Sequence, residues 1–208
     1  MKLIGVTGGI GSGKSEVCRV LATLGCVIFN ADAAAKRLQE TDFEVVRELK
    51  HLFGKEIYSE QDGKEIPNRK RIAEIVFADQ SKLTALNRII HPRVFDLFDH
   101  AAAEAEKENR IAFVKEAAIL FESGRGKTGL DVVIVVAADL EIRIARVSAR
   151  SGLSRGAALE RIHNQWPQEK LVGHADHVIW NNGSLDDLNL ETVKVFHSIL
   201  PSETSSGN

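Results

Sequence analysis

Short, nearly continuous apolar runs recur along the chain: Leu3 to Val6, Val27 to Phe29, Ile111 to Val114, Asp131 to Val136 and His177 to Trp180. Runs of this length without polar alternation predict parallel strands covered on both faces. Between them the apolar positions fall at helical spacing. Val17, Val20, Leu21 and Leu24 form one stripe of a helix predicted from Lys14 to Leu24, which ends at Gly25. A second helix is predicted from Asp139, read as its N-cap, to Ser151 before Gly152. A third starts at Ser184, where Asp187 three residues on completes a capping-box pattern. Strands alternating with helices predict an α/β fold, a doubly wound parallel sheet flanked by helices.

The second and third strands are separated by about eighty residues, far more than one crossover helix needs. This interval, roughly 33–110, reads as several helices: Phe43 to Phe53, Arg69 to Phe77, Lys82 to Ile90 and Val94 to Asn109. Gln61-Asp62-Gly63 marks a turn among them, and Pro92 marks a helix boundary. The alanines Ala101 to Ala103 with the charged residues after them read as a solvated helix. An insertion after a strand of such a sheet is placed beside the crevice where ligands bind, which suits it to hold a second substrate; the alternative is a structural decoration.

At 208 residues the chain has room for one principal domain carrying such an insertion. The formal net charge is −2, which provides no global basic surface for non-specific nucleic-acid binding, so an anionic ligand has to be caught locally. The two cysteines, Cys18 and Cys26, have no histidine at ligand spacing and read as buried thiols. No apolar stretch reaches the roughly 18 residues of a membrane span, and the N-terminus lacks the pattern of a signal peptide, so a cytoplasmic protein is expected. Residues 201–208 are small and polar, the composition of a frayed tail. Nothing in the pattern sets the oligomeric state beyond a monomer or a small homo-oligomer.

The chemistry begins at GGIGSGKS, Gly8 to Ser15, which satisfies G-x-x-x-x-G-K-[ST] between a predicted strand and a predicted helix. Gly8, Gly11 and Gly13 let successive backbone N–H groups turn toward phosphate oxygens, and the helix N-terminus adds its positive end. Gly9, Ser12 and Glu16 complete the stretch expected to hold the nucleotide. Lys14 is expected to neutralise the β and γ phosphates, and the Ser15 hydroxyl to enter the shell of a magnesium ion. Neither the N-K-x-D nor the D-x-x-G pattern of a GTP switch occurs in the chain. Asp32, after the second strand, is the candidate carboxylate for an acceptor hydroxyl. By position alone it reads equally as the cap of a helix starting at Ala33. Asp139 could position water but also sits where a cap is wanted. Arg143, Arg146 and Arg150, with Arg155 and Arg161 beyond Gly152, suit either a lid over phosphates or an ordinary surface; Arg146 and Arg150 share a helical face.

These residues, with NRKRIAEIVF, LNRIIHP, ILFE at Ile119 to Glu122, and ADHVIWNNGS, make the chain similar to the dephospho-CoA kinase family over nearly its whole length. The resemblance implies a P-loop NTPase fold with five parallel strands in the order 2-3-1-4-5. It divides the chain into a core (1–32, 111–139 and 173–200), a helical acceptor-binding insertion (33–110) and a lid (140–172). It implies transfer of the ATP γ-phosphate to the 3′-hydroxyl of dephospho-CoA, the last step of coenzyme A synthesis, with Mg2+ at Ser15. Lys14, Asp32 as general base, and the lid arginines Arg146 and Arg150 are its implied catalytic residues; Arg69 and His91, with Asp32, fall to the acceptor site, and Asn182 to the adenine. Several positions depart from the family pattern. Glu16 replaces Thr, Ala118 replaces the Pro of PLLFE after Lys115 and Glu116, Ser151 replaces Asp, and Asn30 replaces the first Asp of DAD. A kinase for another small metabolite, or a nucleotide-binding module without transfer activity, would share the loop and differ in the insertion or in Asp32.

Overall fold

A computed structural model describes residues 1–123 and 125–200, so the expected tail at 201–208 lies outside the described residues. In chain order the elements are β1 (Lys2–Thr7), α1 (Lys14–Thr23), β2 (Val27–Asn30), α2 (Ala31–Thr41), α3 (Phe43–Phe53), a 3₁₀ turn (Lys55–Ile57), β3 (Tyr58–Gln61), β4 (Lys64–Pro67), α4 (Arg69–Ala78), α5 (Gln80–Lys107), β5 (Ala112–Glu116), β6 (Val132–Ala137), α6 (Leu140–Ser151), α7 (Arg155–His163), α8 (Gln168–Val172), β7 (His177–Trp180) and α9 (Leu185–Ile199). Two compact units result: Met1–Phe29 with the chain from Ala102 onward, and Asn30–Ala101.

The first unit is built on a five-stranded sheet in the order β2-β5-β1-β6-β7. Counting only its own strands, this is the order 2-3-1-4-5. The pairings of β1 with β5 and β6, and of β6 with β7, are parallel, with Val6 opposite Glu116 on one side and Ile134 on the other. Ile4, Val6, Ile134, Val136 and Ile179 from the strands pack with Val17 and Leu21 of α1 and Leu188 and Phe196 of α9 into one core. Continuous apolar strands are what burial under helices on both faces demands. Cys18 and Cys26 belong to this core as free thiols. Burial pushes the Cys26 thiol up to about 12 and the Cys18 thiol higher still, which leaves both unreactive at neutral pH. A smaller apolar cluster, Ile144, Val147, Ala158 and Ile162, joins α6 to α7 and receives Ile10 from the loop after β1. α9 opens with the expected capping box of Ser184 and Asp187.

The second unit is helical apart from a hairpin, β3–β4, that the sequence pattern did not predict. The Asp62-Gly63 turn has positive φ at both residues, 51° and 71°, the geometry that joins two antiparallel strands. The flanking strands are short and exposed except at Tyr58 and Pro67, so they lack the alternation that marks a strand. Tyr58 anchors the hairpin by donating its hydroxyl to the Gln39 carbonyl at 2.7 Å. Pro92 is not a boundary: α5 runs through it as one helix, where two had been expected. Proline cannot donate to the Arg88 carbonyl. In that loosened turn the Arg93 guanidinium donates to the Ile89 carbonyl at 2.8 Å and pairs with Glu48 of α3 at 2.6 Å, tying the helix across the proline. The alanine-rich end of α5 is not simply solvated either, since Ala102 and Ala105 are buried.

Asp176 fixes the entry to β7. Its carboxylate accepts from the Val133 N–H at 2.8 Å and from Lys127 Nζ at 2.8 Å, while its own N–H donates to the Val133 carbonyl. The Lys127 hydrogen bond, with the Val133 N–H behind it, holds the Asp176 carboxyl below the usual carboxylate range. The stability this confers is therefore present above the unfolded value of about 3.9 and is lost as pH falls through the lower folded value. Asp176→Asn keeps an acceptor for Val133 and loses the half-exposed ion pair, so it should cost less than about 1 kcal/mol at neutral pH. Urea midpoints taken from pH 7 to pH 3 should show the gap between wild type and variant closing as Asp176 protonates.

Candidate active site

The loop from Gly8 to Gly13 joins β1 to α1, and its conformation depends on glycines whose surroundings leave no room for a side chain. Gly11 has φ +80°, and a Cβ there would lie 2.6 Å from the Arg143 carbonyl oxygen. Gly13 has φ +103°, and a Cβ there would lie 2.2 Å from Asn181 Nδ2. Gly13 also occupies the N-cap position of α1 with no side-chain cap, so the helix N-terminus faces the loop without a competing carboxylate or hydroxyl.

The loop's carbonyl oxygens are held by groups around it. Lys14 Nζ donates to the Gly8 carbonyl at 2.7 Å and the Gly9 carbonyl at 3.3 Å. Arg143 Nε donates to the Ile10 carbonyl at 3.1 Å, and Asn181 Nδ2 to the Ser12 carbonyl at 2.8 Å. The Ile10 N–H turns the other way and donates to Gln165 Oε1 at 2.6 Å. Ser12 N closes a turn onto the Gly9 carbonyl. Beneath the loop the hydroxyls of Thr7 and Ser12 are buried and make no hydrogen bond among the described residues.

Ser15 donates its hydroxyl to Glu116 Oε1 at 2.7 Å. Glu116 is the last residue of β5, the strand beside β1, and it is buried. A carboxylate closing an apolar strand next to the loop strand was the available signal, and the sequence reading noted Glu116 only beside the Ala118 departure from the family pattern. Glu16 points away from the loop and takes the Arg19 guanidinium.

Three arginines of α6 occupy different environments. Arg143 is 5% exposed, and burial lowers its pKa, with Glu169 acting in the opposite direction. Arg146 Nη2 donates to Asn181 Oδ1 at 3.2 Å, and its Nη1 is buried with no hydrogen-bond partner among the described residues. Arg150 is exposed. Arg155 pairs with Glu141, within the segment expected as a lid.

The neighbouring asparagines at the end of β7 have different partners. Asn182 is exposed, and its amide closes a pair with Asp139: Nδ2 donates to Oδ1 at 2.9 Å, and Oδ1 accepts the Asp139 N–H at 2.8 Å. Asn181 reaches the loop instead. Asp139 stands at the N-cap position of α6 but its side chain caps nothing, because that carboxylate is engaged with Asn182. In the second unit Asn30, not Asp32, caps α2, accepting from the Ala33 N–H at 2.7 Å. The helix begins at Ala31, so the capping role once open to Asp32 is filled, and Asp32 is exposed in the first turn. Arg69 pairs with Glu40 at 2.6 Å and touches the Lys36 carbonyl, and His91 lies 5.9 Å from the Phe95 ring along α5.

A family model described as dephospho-CoA kinase matches residues 2–187. The chain belongs to the dephospho-CoA kinase family. It is 50% identical over 199 residues to a dephospho-CoA kinase of Chlorobaculum tepidum, covering 95% of each chain. It is 40% identical to one of Salinibacter ruber, covering 96% of this chain and 98% of the relative. Among solved structures, a Thermus thermophilus protein superimposes with a TM-score of 0.80 at 36% identity, and the dephospho-CoA kinase of Campylobacter jejuni with 0.70 at 29%. In both cases 96% of this chain and 98% of the other are covered. Members of the family are ATP-dependent kinases with the α/β phosphate-loop architecture found here. Among the described residues no helix is long and apolar enough to cross a membrane.

The packing around Gly11 makes a direct test. Gly11→Ala forces a left-handed conformation on alanine, worth about 1–3 kcal/mol of strain, against a backbone oxygen that has no rotamer by which to withdraw. Thermal unfolding should show a lower midpoint and ADP titration a dissociation constant raised by at least about tenfold, the equivalent of 1.4 kcal/mol.

Proposed function

We propose that the protein transfers the γ-phosphate of ATP to the 3′-hydroxyl of dephospho-CoA, giving CoA and ADP. The observation that carries this reading is a phosphate loop whose serine is backed by a buried strand-end carboxylate and whose lysine is folded over the loop carbonyls, in a chain that matches the family from Lys2 to Asp187. Lys14 binds the β and γ phosphates by exchanging the Gly8 and Gly9 carbonyls for phosphate oxygens. Arg146 offers its unpartnered Nη1 to the same phosphates, and the exposed Arg150 one turn on is free to approach them from the lid. Asp32 orients the acceptor hydroxyl and takes its proton; the cap supplied by Asn30 leaves its carboxylate out of helix capping. Arg69 and His91 hold the acceptor from the helical unit.

Magnesium fits the residues present. Ser15 Oγ and Glu116 Oε1 are hard oxygen donors already 2.7 Å apart, and magnesium typically takes one or two such groups with water and substrate phosphate. Among the described residues no three His, Cys, Asp or Glu side chains cluster to hold a metal, in keeping with an ion that leans on the nucleotide. An ion bound there would neutralise charge on the nucleotide's phosphates. Glu116 would set the Ser15 hydroxyl toward it.

Purified protein given ATP should phosphorylate dephospho-CoA in preference to AMP and other hydroxyl acceptors; nucleotide binding without transfer to any acceptor would overturn the reading. In the same assay Asp32→Asn should cut kcat by about 10²–10⁴-fold with ATP affinity near normal, the usual reach of general-base assistance. An unchanged rate would remove Asp32 from the chemistry. Glu116→Gln keeps an acceptor for Ser15 but removes the charge, so it should raise the magnesium concentration needed for half-maximal activity by about tenfold while leaving the KM for dephospho-CoA unchanged.

A further inference from the structure

We infer that Asn181 is a positioning residue for phosphate transfer, one carboxamide that sets both the Ser12–Gly13 peptide of the loop and the guanidinium of Arg146. The inference rests on the kinase reading above and adds to it a residue that the loop motif does not contain.

The side chain is well placed to set other groups because the sheet sets it first. Asn181 directly follows β7, and its N–H donates to the Ala137 carbonyl at 2.8 Å, extending the β6–β7 ladder by one bond. It is 6% exposed. From this fixed base its two ends do opposite work, Nδ2 donating to Ser12 at 2.8 Å and Oδ1 accepting from Arg146 at 3.2 Å. Aspartate could keep the second contact but not the first, and leucine neither. Glutamine would carry an extra methylene into the space already closed by Gly13, whose missing Cβ would sit 2.2 Å from Nδ2.

What this does for the phosphates follows from peptide geometry. In a trans peptide the carbonyl and the next N–H point in opposite directions. Drawing the Ser12 carbonyl onto Asn181 therefore aims the Gly13 N–H away from Asn181, and a run of such N–H groups is what makes an anion-binding nest. The same amide fixes Arg146 through one guanidinium nitrogen and leaves Nη1 buried without a partner among the described residues. A buried, unpartnered N–H is costly, and an anionic oxygen is the partner that relieves it most. Loop and arginine are thus registered to each other before ATP arrives.

The test compares wild type, Asn181→Leu and Asn181→Asp, alone and with Arg146→Ala, by ADP titration and by steady-state kinetics. Loss of the donor to Ser12 should weaken ADP binding and raise the KM for ATP by about tenfold or more in both Asn181 variants, while the KM for dephospho-CoA stays within about twofold. In the Arg146→Ala background Asn181→Leu has only the Ser12 contact left to lose, so its effect should fall to that of Asn181→Asp in the wild-type background. A folded Asn181→Leu with wild-type ADP affinity, or effects of Asn181→Leu and Arg146→Ala that multiply in full, would overturn the inference. Should Asn181→Leu fail to fold, the nearly isosteric Asn181→Asp decides by the same ADP criterion. The ADP arm needs no acceptor, so a wild type that binds ADP but does not phosphorylate dephospho-CoA would count against the proposed reaction and leave the role of Asn181 to be judged by binding.

Discussion

The site depends on holding backbone carbonyl oxygens on the outside of a tight loop. A loop that turns its N–H groups toward an anion must turn carbonyls elsewhere, and a buried carbonyl without a donor costs about 1–3 kcal/mol. Here the donors come from three elements: Lys14 at the start of α1, Arg143 on α6 and Asn181 after β7. The glycines are the other half of the same arrangement. Gly11 and Gly13 are required because Arg143 and Asn181 approach so closely, and the approach is possible because those positions have no Cβ. The loop motif and its bracket are one structural unit, although they are spread from residue 8 to residue 181.

The bracket also explains how a chain of net charge −2 can present an electropositive site. Arg143 is buried, and Glu169 offsets only part of the desolvation that lowers its pKa. A lysine in that place could shed its proton, whereas guanidinium keeps its charge under burial and can spread several N–H donors across one plane. Arg143 uses these on Ile10 and Gln168, with Nη2 lying against Gly9. Arg146 uses one on Asn181 and retains another. Fixed charge close to the phosphates is a stronger lever than surface charge, because the surrounding protein screens it less than water does.

Much of the fold was legible because its signals are local or periodic. The five strands of the main sheet, α1 and the capping box of α9 follow from apolar runs, glycine stops and a Ser-x-x-Asp spacing. The failures have physical causes. Pro92 has the character of a helix breaker, but Arg93 and its pairing with Glu48 bind the helix through it, a tertiary effect that local propensity does not include. β3 and β4 lack alternation because they are exposed, so only Asp62-Gly63 hinted at a hairpin. Asn181, which the sequence reading did not single out, was within its reach. Side chains alternate along a strand, and Ile179 is fully buried, so the residue two further on continues the inward face while Trp180 and Asn182 point out. Asn181 follows from that parity. Arg143 is different: it lay among several arginines of one helix, and only the packing shows which of them is buried.

The helical unit shows the same division of labour at a smaller scale. Both Asn30 and Asp32 can cap a helix, and the chain carries them two residues apart where β2 passes into α2. Asparagine takes the cap, accepting the Ala33 N–H, and aspartate is left in the first turn with its side chain exposed. The choice suits the proposed chemistry. A phosphoryl group moving through a loose transition state gathers little charge on the attacking oxygen until late, so the carboxylate's contribution is to aim the hydroxyl and accept its proton at the end. That suits a carboxylate not used as the helix cap but still carried on a rigid element. An asparagine cap meets both conditions, since it starts the helix without claiming the acid. At the position of the family's first Asp, Asn30 supplies the cap, and the second Asp, as Asp32, is the residue to which the proposal assigns the base.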